Sequence, residues 1–269
     1  MPEPIFQLQQ ICKQFSGRVI FDHLDLDIFP GETLVVLGPS GTGKSTLLRV
    51  LTGYIKPDSG RVLLRGKPMN DFSEHELSAW MLSVGMLFQS GALFNSMTLR
   101  ENLSLPVREN TDLPEETIEI MAKIYLQLVG LREHIDKLPG QLSGGMKKRG
   151  GLARELMMQP RIMFYDEPTA GLDPVSSRQI AQLIMDLNKK LGVTGVVVTH
   201  DMQSAFHIAD RMVLLHEGKI GAAGAPEDFL TTSDPYVRQF VDGLLTGPMI
   251  GQSDLNAYEA DILATRIEG

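Results

Sequence analysis

The chain has 269 residues, a formal net charge of −8 and a pI near 5.3. With 43% hydrophobic and 22% charged residues, it has the composition of a globular protein able to bury one large core, with room for a subdomain. The acidic balance argues against a nucleic-acid binder and against adhesion to anionic lipid by charge alone.

Met1-Pro2-Glu3-Pro4 carries no basic region and no long apolar stretch, so no signal peptide is expected. No apolar run approaches the ~20 residues that span a bilayer. The single cysteine, Cys12, reads as a small core residue, and a reducing compartment is expected. The six histidines show no metal-ligand spacing.

Residues 5 to about 36 alternate strand-like runs with turns, as in Leu24-Asp25-Leu26-Asp27-Ile28 ahead of Pro30-Gly31. Glu32-Thr33-Leu34-Val35-Val36-Leu37 is a short apolar run ending at a glycine, the pattern of a buried parallel strand. Gly38-Pro39-Ser40-Gly41-Thr42-Gly43-Lys44-Ser45-Thr46 follows and completes G-x-x-x-x-G-K-[ST] at Gly38, Gly43, Lys44 and Ser45. Helical spacing then runs from Ser45 to Leu51. The residue types suit a phosphate. Glycines let successive N–H groups turn inward as an anion nest, and the helix start adds its positive end. Lys44 is expected on the β- and γ-phosphates of ATP, and the Ser45 hydroxyl on Mg²⁺.

Asp58-Ser59-Gly60 marks another turn before the strand-like Arg61-Val62-Leu63-Leu64, and strands and helices then alternate. Residues of about 95 to 155 differ, with no strand-like alternation. Thr98 and Pro114 are expected helix starts, Pro114 at the first helical position. Ile118, Met121, Tyr125 and Leu128 give Glu115–Val129 one apolar helical face. Ser143-Gly144-Gly145 opens a further helix running to Met157, with Ser143 as N-cap over bared amides, a second anion-binding start. Taken alone, a capped surface helix fits it better. Lys147-Lys148-Arg149 reads as a solvated helix face. Gly150-Gly151 inside this helix costs about 1 kcal/mol per residue against alanine, which close helix packing would explain.

Ile162-Met163-Phe164-Tyr165 runs into Asp166-Glu167. At the C-terminal end of a parallel strand these carboxylates lie beside the phosphate loop. Asp166 is expected to hold Mg²⁺, and Glu167 to orient or deprotonate the attacking water. Val196-Val197-Val198-Thr199 precedes His200, while His207 reads as ordinary surface or packing. From about Asp242 the tail is broken by Gly243, Gly247-Pro248 and Gly251. There a frayed end and a reordered Ala257–Leu263 both remain open.

These motifs in this order resemble the nucleotide-binding subunit of ABC transporters. Leu142-Ser143-Gly144-Gly145 matches the family signature, with Met146 in place of the usual glutamine. Phe15 matches the aromatic that stacks on adenine, and Gln89 the loop glutamine that touches Mg²⁺ and senses the γ-phosphate. Ala170-Gly171-Leu172-Asp173 matches the D-loop and His200 the switch histidine. The match covers roughly residues 5 to 240. It implies an α/β P-loop NTPase fold: a mostly parallel sheet core, an N-terminal antiparallel β subdomain and an inserted helical subdomain. Residues 1–241 would form the ATP-binding domain, with the helical subdomain at about 95–155, and 242–269 a tail. The resemblance also implies a head-to-tail homodimer. The phosphate loop of one subunit and the Ser143 helix start of the other would hold each ATP. Lys44, Glu167 and His200 would act in catalysis. Phe15, residues 38–46, Gln89, Ser143, Gly144, Gly145 and Asp173 would contact nucleotide. Ser45, Gln89 and Asp166 would ligate Mg²⁺.

Leu87-Phe88-Gln89-Ser90-Gly91-Ala92-Leu93-Phe94 and Leu105-Pro106-Val107-Arg108-Glu109 further resemble the ATPases of MCE-type lipid transporters, the Mla group among them. Tyr236-Val237-Arg238-Gln239-Phe240 does so too. This implies phospholipid transport in the maintenance of outer-membrane lipid asymmetry. It implies a membrane permease, an MCE-domain lipid-binding partner and, in the Mla group, a small STAS-domain protein. The ATPase would sit peripherally on the cytoplasmic face of the inner membrane, and residues 254–263 would clasp the dimer partner. Three other readings stand beside this one: an importer ATPase for an amino acid or sterol, a non-transport ABC ATPase, and a catalytically dead interaction subunit. A single cassette without heptads argues against the second. Intact Lys44, Asp166, Glu167 and His200 argue against the third.

Overall fold

The computed structural model describes residues 3–249. Strands β1 (Phe6–Phe15) and β2 (Arg18–Ile28) form a hairpin whose alternation sorts Leu24, Leu26 and Ile28 inward and Asp25 and Asp27 outward. After β3 (Thr33–Leu37) and α1 (Lys44–Leu51), strands β4 (Ser59–Leu64) and β5 (Lys67–Pro68) extend this sheet to the order β2-β1-β4-β5, antiparallel throughout.

The second sheet adds to β3 the strands β6 (Val84–Leu87), β7 (Ile162–Asp166), β8 (Thr194–Val198), β9 (Arg211–His216) and β10 (Lys219–Gly224). Their order is β10-β9-β3-β8-β7-β6, and every pair is parallel except the β10 edge. Every residue of β3 and β8 is buried, which is why both read as unbroken apolar runs. Leu34 and Val36 face a core shared with Phe6, Leu24, Ile28, Leu47 and Phe164. Val35 and Leu37 face the opposite core, with Tyr165, Val197, and Ile180 and Ile184 of α6 (Pro174–Leu191). Each fully buried aliphatic side chain contributes roughly 1.5–3 kcal/mol of transfer free energy. The consequence for function is positional: β3, β8, β7 and β6 are neighbours and parallel, so their C-terminal ends open on one edge.

Helix α2 (Glu74–Met81) starts at Ser73 with a capping box to Glu76 and packs Trp80 edge-on to Phe6 at 6.2 Å. Helices α3 (Leu99–Asn110), α4 (Glu115–Leu128) and α5 (Gly144–Leu156) build a helical block with its own apolar core. Thr98 caps α3 through a capping box with Glu101. Asn102, fully buried, accepts from the Phe94 amide at 2.8 Å and donates to the carbonyls of Phe94, Met97 and Thr98.

Three local expectations need correction. Pro114 is the N-cap of α4, not its first helical residue, because its ψ of 143° is extended. The inner face of α4 is Ile118, Ala122 and Leu126, while Leu128 is 44% exposed. The small Ala122 fills the tight position, and the rotated face turns Leu128 outward. Cys12 is only half-buried. The glycine pair of α5 has a packing cause. A Cβ on Gly150 would lie 2.8 Å from Leu99 Cδ2, and one on Gly151 would lie 2.4 Å from the Gly91 carbonyl oxygen.

Helices α7 (Met202–Ile208), α8 (Pro226–Thr231) and α9 (Pro235–Asp242) are the last helices among the described residues, α9 ending at Gly243 with φ 65°. The expected clasp at 254–263 lies outside the described residues.

Candidate active site

The loop between β3 and α1 is tightly wound. Gly38 (φ 154°) and Gly43 (φ 100°) both need the freedom of glycine, and a Cβ at Gly43 would meet Ile20 Cγ2 at 2.6 Å. Gly43 is the N-cap of α1. Lys44 is 8% exposed, and its ammonium donates to the carbonyls of Gly38 at 2.7 Å and Pro39 at 3.0 Å. Burial lowers its pKa, against the opposing charges of Glu167 and Asp166. The loop thus holds a buried cation beside an anion-binding helix start.

Ser45 Oγ donates to Asp166 Oδ1 at 2.9 Å, joining the loop after β3 to the end of β7. Burial raises the Asp166 pKa, partly offset by this hydrogen bond. Glu167 follows with φ +48°, left-handed for a residue with a side chain. Its amide donates to Val198 at 2.9 Å. Its Oε1 lies 2.9 Å from His200 Nδ1, and its Oε2 accepts from Thr199 Oγ1 at 3.1 Å. The loop lysine, both carboxylates and the histidine are thereby gathered at the ends of three adjacent strands.

Gln89 follows β6, the next strand along, on an exposed loop. Phe15 ends β1, 43% exposed, with Lys13 Nζ 5.2 Å above its ring. A cavity of about 250 Å³ over Ser40, Gly41 and Thr42 is walled by Arg18, His216 and Glu217. Asp173 caps α6, accepting from the amides of Val175 and Ser176 at 3.0 Å each. Ser143 caps α5 by accepting from Met146 N at 3.3 Å. Ser143 and Gly144 are exposed, and among the described residues no hydrogen bond joins them to the 38–46 loop.

Sequence reasoning missed three supporting groups. Thr199 steadies Glu167 and accepts from the Asp201 amide at 3.0 Å. Asp201 caps α7 and accepts from Thr169 Oγ1 at 3.0 Å, tying the histidine segment to the D-loop. An Asp ahead of a helix was the available signal. Lys148, expected on a solvated face, is 4% exposed. Elsewhere, ligand atoms of Cys12, Asp22 and His23 lie within 4.8 Å of one another. Asp22 is already neutralised there by Lys219 at 2.9 Å, and the Cys12 sulfur accepts from the His23 amide.

Residues 21–170, more than half the chain, match the ABC transporter family. The intermembrane phospholipid transport system ATP-binding protein MlaF of Escherichia coli K12 is 40% identical over 92% of both chains. A probable ribonucleotide transport ATP-binding protein, mkl of Mycobacterium leprae, is 42% identical over 92% of this chain and 71% of its own. Among solved structures, cbiO1 of a Clostridium perfringens ABC transporter complex superposes with a TM-score of 0.78 at 31% identity, covering 90% of this chain and 96% of that one. A dimeric ATP-binding cassette bound to ADP and Pi gives 0.74 at 30% identity, covering 82% and 98%. No described helix is long and apolar enough to cross a membrane. The chain therefore belongs to the ABC transporter family, as an ATP-binding and ATP-hydrolysing subunit.

Proposed function

We propose that two copies of this chain sandwich ATP head to tail and drive a permease that moves phospholipid between envelope membranes. One observation carries the composite site. Lys44, Asp166, Glu167 and His200 converge within one chain, while among the described residues no hydrogen bond joins the exposed, capped Ser143 helix start to them. A second copy supplies the missing half.

The donors Ser45 and Asp166, with the Gln89 amide, are hard oxygens and fit Mg²⁺. When bound, the metal supplies charge neutralisation for phosphoryl transfer. The chain's own groups do the rest. The loop amides and the α1 start hold the phosphates. Lys44 leaves the Gly38 and Pro39 carbonyls for the phosphate oxygens. Phe15 stacks on the adenine. Glu167, fixed by Thr199 and His200, orients the attacking water and accepts its proton. Asp173 and the Ser143–Gly145 amides face the nucleotide across the dimer.

Two surfaces suit the expected partners. A groove of about 570 Å³ lined by Tyr54, Met81, Met86 and Phe88 suits an apolar permease helix. Ile120, Ile124 and Leu128 form an exposed apolar stripe on α4 that suits a small STAS-domain protein. The MCE-domain protein lies beyond the permease, and the ATPase rests on the cytoplasmic face of the inner membrane through that permease. Phospholipid is the favoured cargo because the MlaF match spans 92% of both chains. The mkl match keeps a ribonucleotide in view. Mass spectrometry of the complex drawn from native membranes in mild detergent tests the reading. A permease, an MCE-domain protein and co-purifying phospholipid are expected. A solute-binding protein with a different permease, or no membrane partner, would overturn it.

A further inference from the structure

Lys148 sits on α5 a little over one turn beyond the Ser143 cap and is 4% exposed. Its ammonium reaches two main-chain carbonyls, Ala170 O at 2.7 Å and Glu167 O at 3.3 Å. Among the described residues it makes no ion pair, which is unusual for a buried lysine. Burial pushes its pKa down to about 8. Replacing a buried charge with an apolar side chain of like volume is often neutral or stabilising, so fold stability is a poor reason for a lysine here.

The two carbonyls suggest a better one. Glu167 holds a left-handed φ of +48°, a conformation that persists only where its surroundings over-determine it. The turn that follows is closed by Ala170 N donating to Glu167 O at 3.2 Å. Lys148 clasps both ends of that turn from outside. The helix it belongs to packs along the same segment: a Cβ on Gly144 would lie 3.3 Å from Leu172 Cδ2, and one on Gly145 3.8 Å from Ser176.

We propose that Lys148 is a positioning residue for hydrolysis, fixing the main chain of Glu167 and Ala170 to the helix that begins at Ser143. This rests on the dimeric reading above. In that dimer, the helix whose start grips one ATP also sets the carboxylate that acts on the other. Lys148 touches neither nucleotide.

The test is steady-state ATP hydrolysis by the assembled transporter carrying K148M, K148Q or K148R. ATP affinity and melting temperature are measured on the same proteins. K148M leaves the Ala170 carbonyl without its donor, so kcat is expected to fall roughly tenfold or more. KM and ATP affinity should stay close to wild type, and the melting temperature should not fall. K148Q, which can still donate an N–H to Ala170 O, should recover part of the rate. A K148M kcat within about twofold of wild type would overturn the assignment. So would a joint fall of kcat, affinity and melting temperature, the pattern of a structural role. If K148M fails to fold, the kcat-against-KM split of K148Q and K148R decides in the same way. E167Q separates the two readings. If it still accumulates the ATP-bound dimer while K148M behaves as wild type, only the Lys148 assignment falls. If E167Q hydrolyses normally, the role given to Glu167 in the proposed function falls first, and the Lys148 assignment falls with it.

Discussion

His200 Nδ1 stands 2.9 Å from Glu167 Oε1, across 33 residues of sequence, while Thr199 Oγ1 holds the other oxygen of the same carboxylate at 3.1 Å. Both oxygens are engaged, so the carboxylate has one orientation. It is aimed by the end of β8 although it follows directly on β7. Phosphoryl transfer depends on such positioning more than on covalent chemistry.

Glu167→Gln keeps the shape of this arrangement and removes the base. Hydrolysis should fall by at least about 100-fold, with ATP binding retained and the ATP-bound dimer accumulating. Phosphate release and light scattering after gel filtration read the two effects. A wild-type rate would assign the water-positioning role elsewhere.

Lys148 makes stability depend on pH in an uncommon direction. Its folded pKa, about 8, lies below the ordinary 10.5. The cost of burying the ammonium is present in full below pH 8 and is relieved as pH rises toward 10.5. Wild-type melting temperature should therefore rise relative to K148M between those limits. Parallel melting curves across that window would place the titration on another group.

Gly151→Ala drives a Cβ to 2.4 Å from the Gly91 carbonyl oxygen, which is main chain and cannot swing aside. Overpacking of this kind costs about 1–3 kcal/mol, a fall of roughly 2–10 °C in melting temperature. Gly91 lies two residues past Gln89, so the displaced loop should also lower ATPase activity. An unchanged melting temperature would mean that α5 is not clamped to this loop.

How much of this was readable in the chain follows from distance along it. The phosphate loop was legible because its nine residues act locally, between an apolar run and a helix. Asp166 and Glu167 were legible because a buried strand ends at them. The support around Glu167 was not. Thr199 reaches it across 32 residues and Lys148 across 19, and only the strand order and the packing of α5 on the segment after β7 bring them together. Lys148 looked solvated because it lies in a basic triplet, although one of three successive helical positions commonly faces inward. Leu128 was assigned inward by counting apolar spacings, while Ala122, the tighter packer, was passed over.

The composite site is tested most directly by mixing two inactive variants. Lys44→Ala removes the loop cation, and Ser143→Arg blocks the partner-facing helix start. Each homodimer has two defective sites. In a head-to-tail heterodimer both defects fall in one site, and the other site is wild type. Co-assembly at equal ratio should restore ATPase activity, up to about a quarter of the wild-type rate if half the dimers are mixed and each has one intact site. Activity no greater than the sum of the separate variants, at any mixing ratio, would contradict an ATP site shared between two copies of this chain.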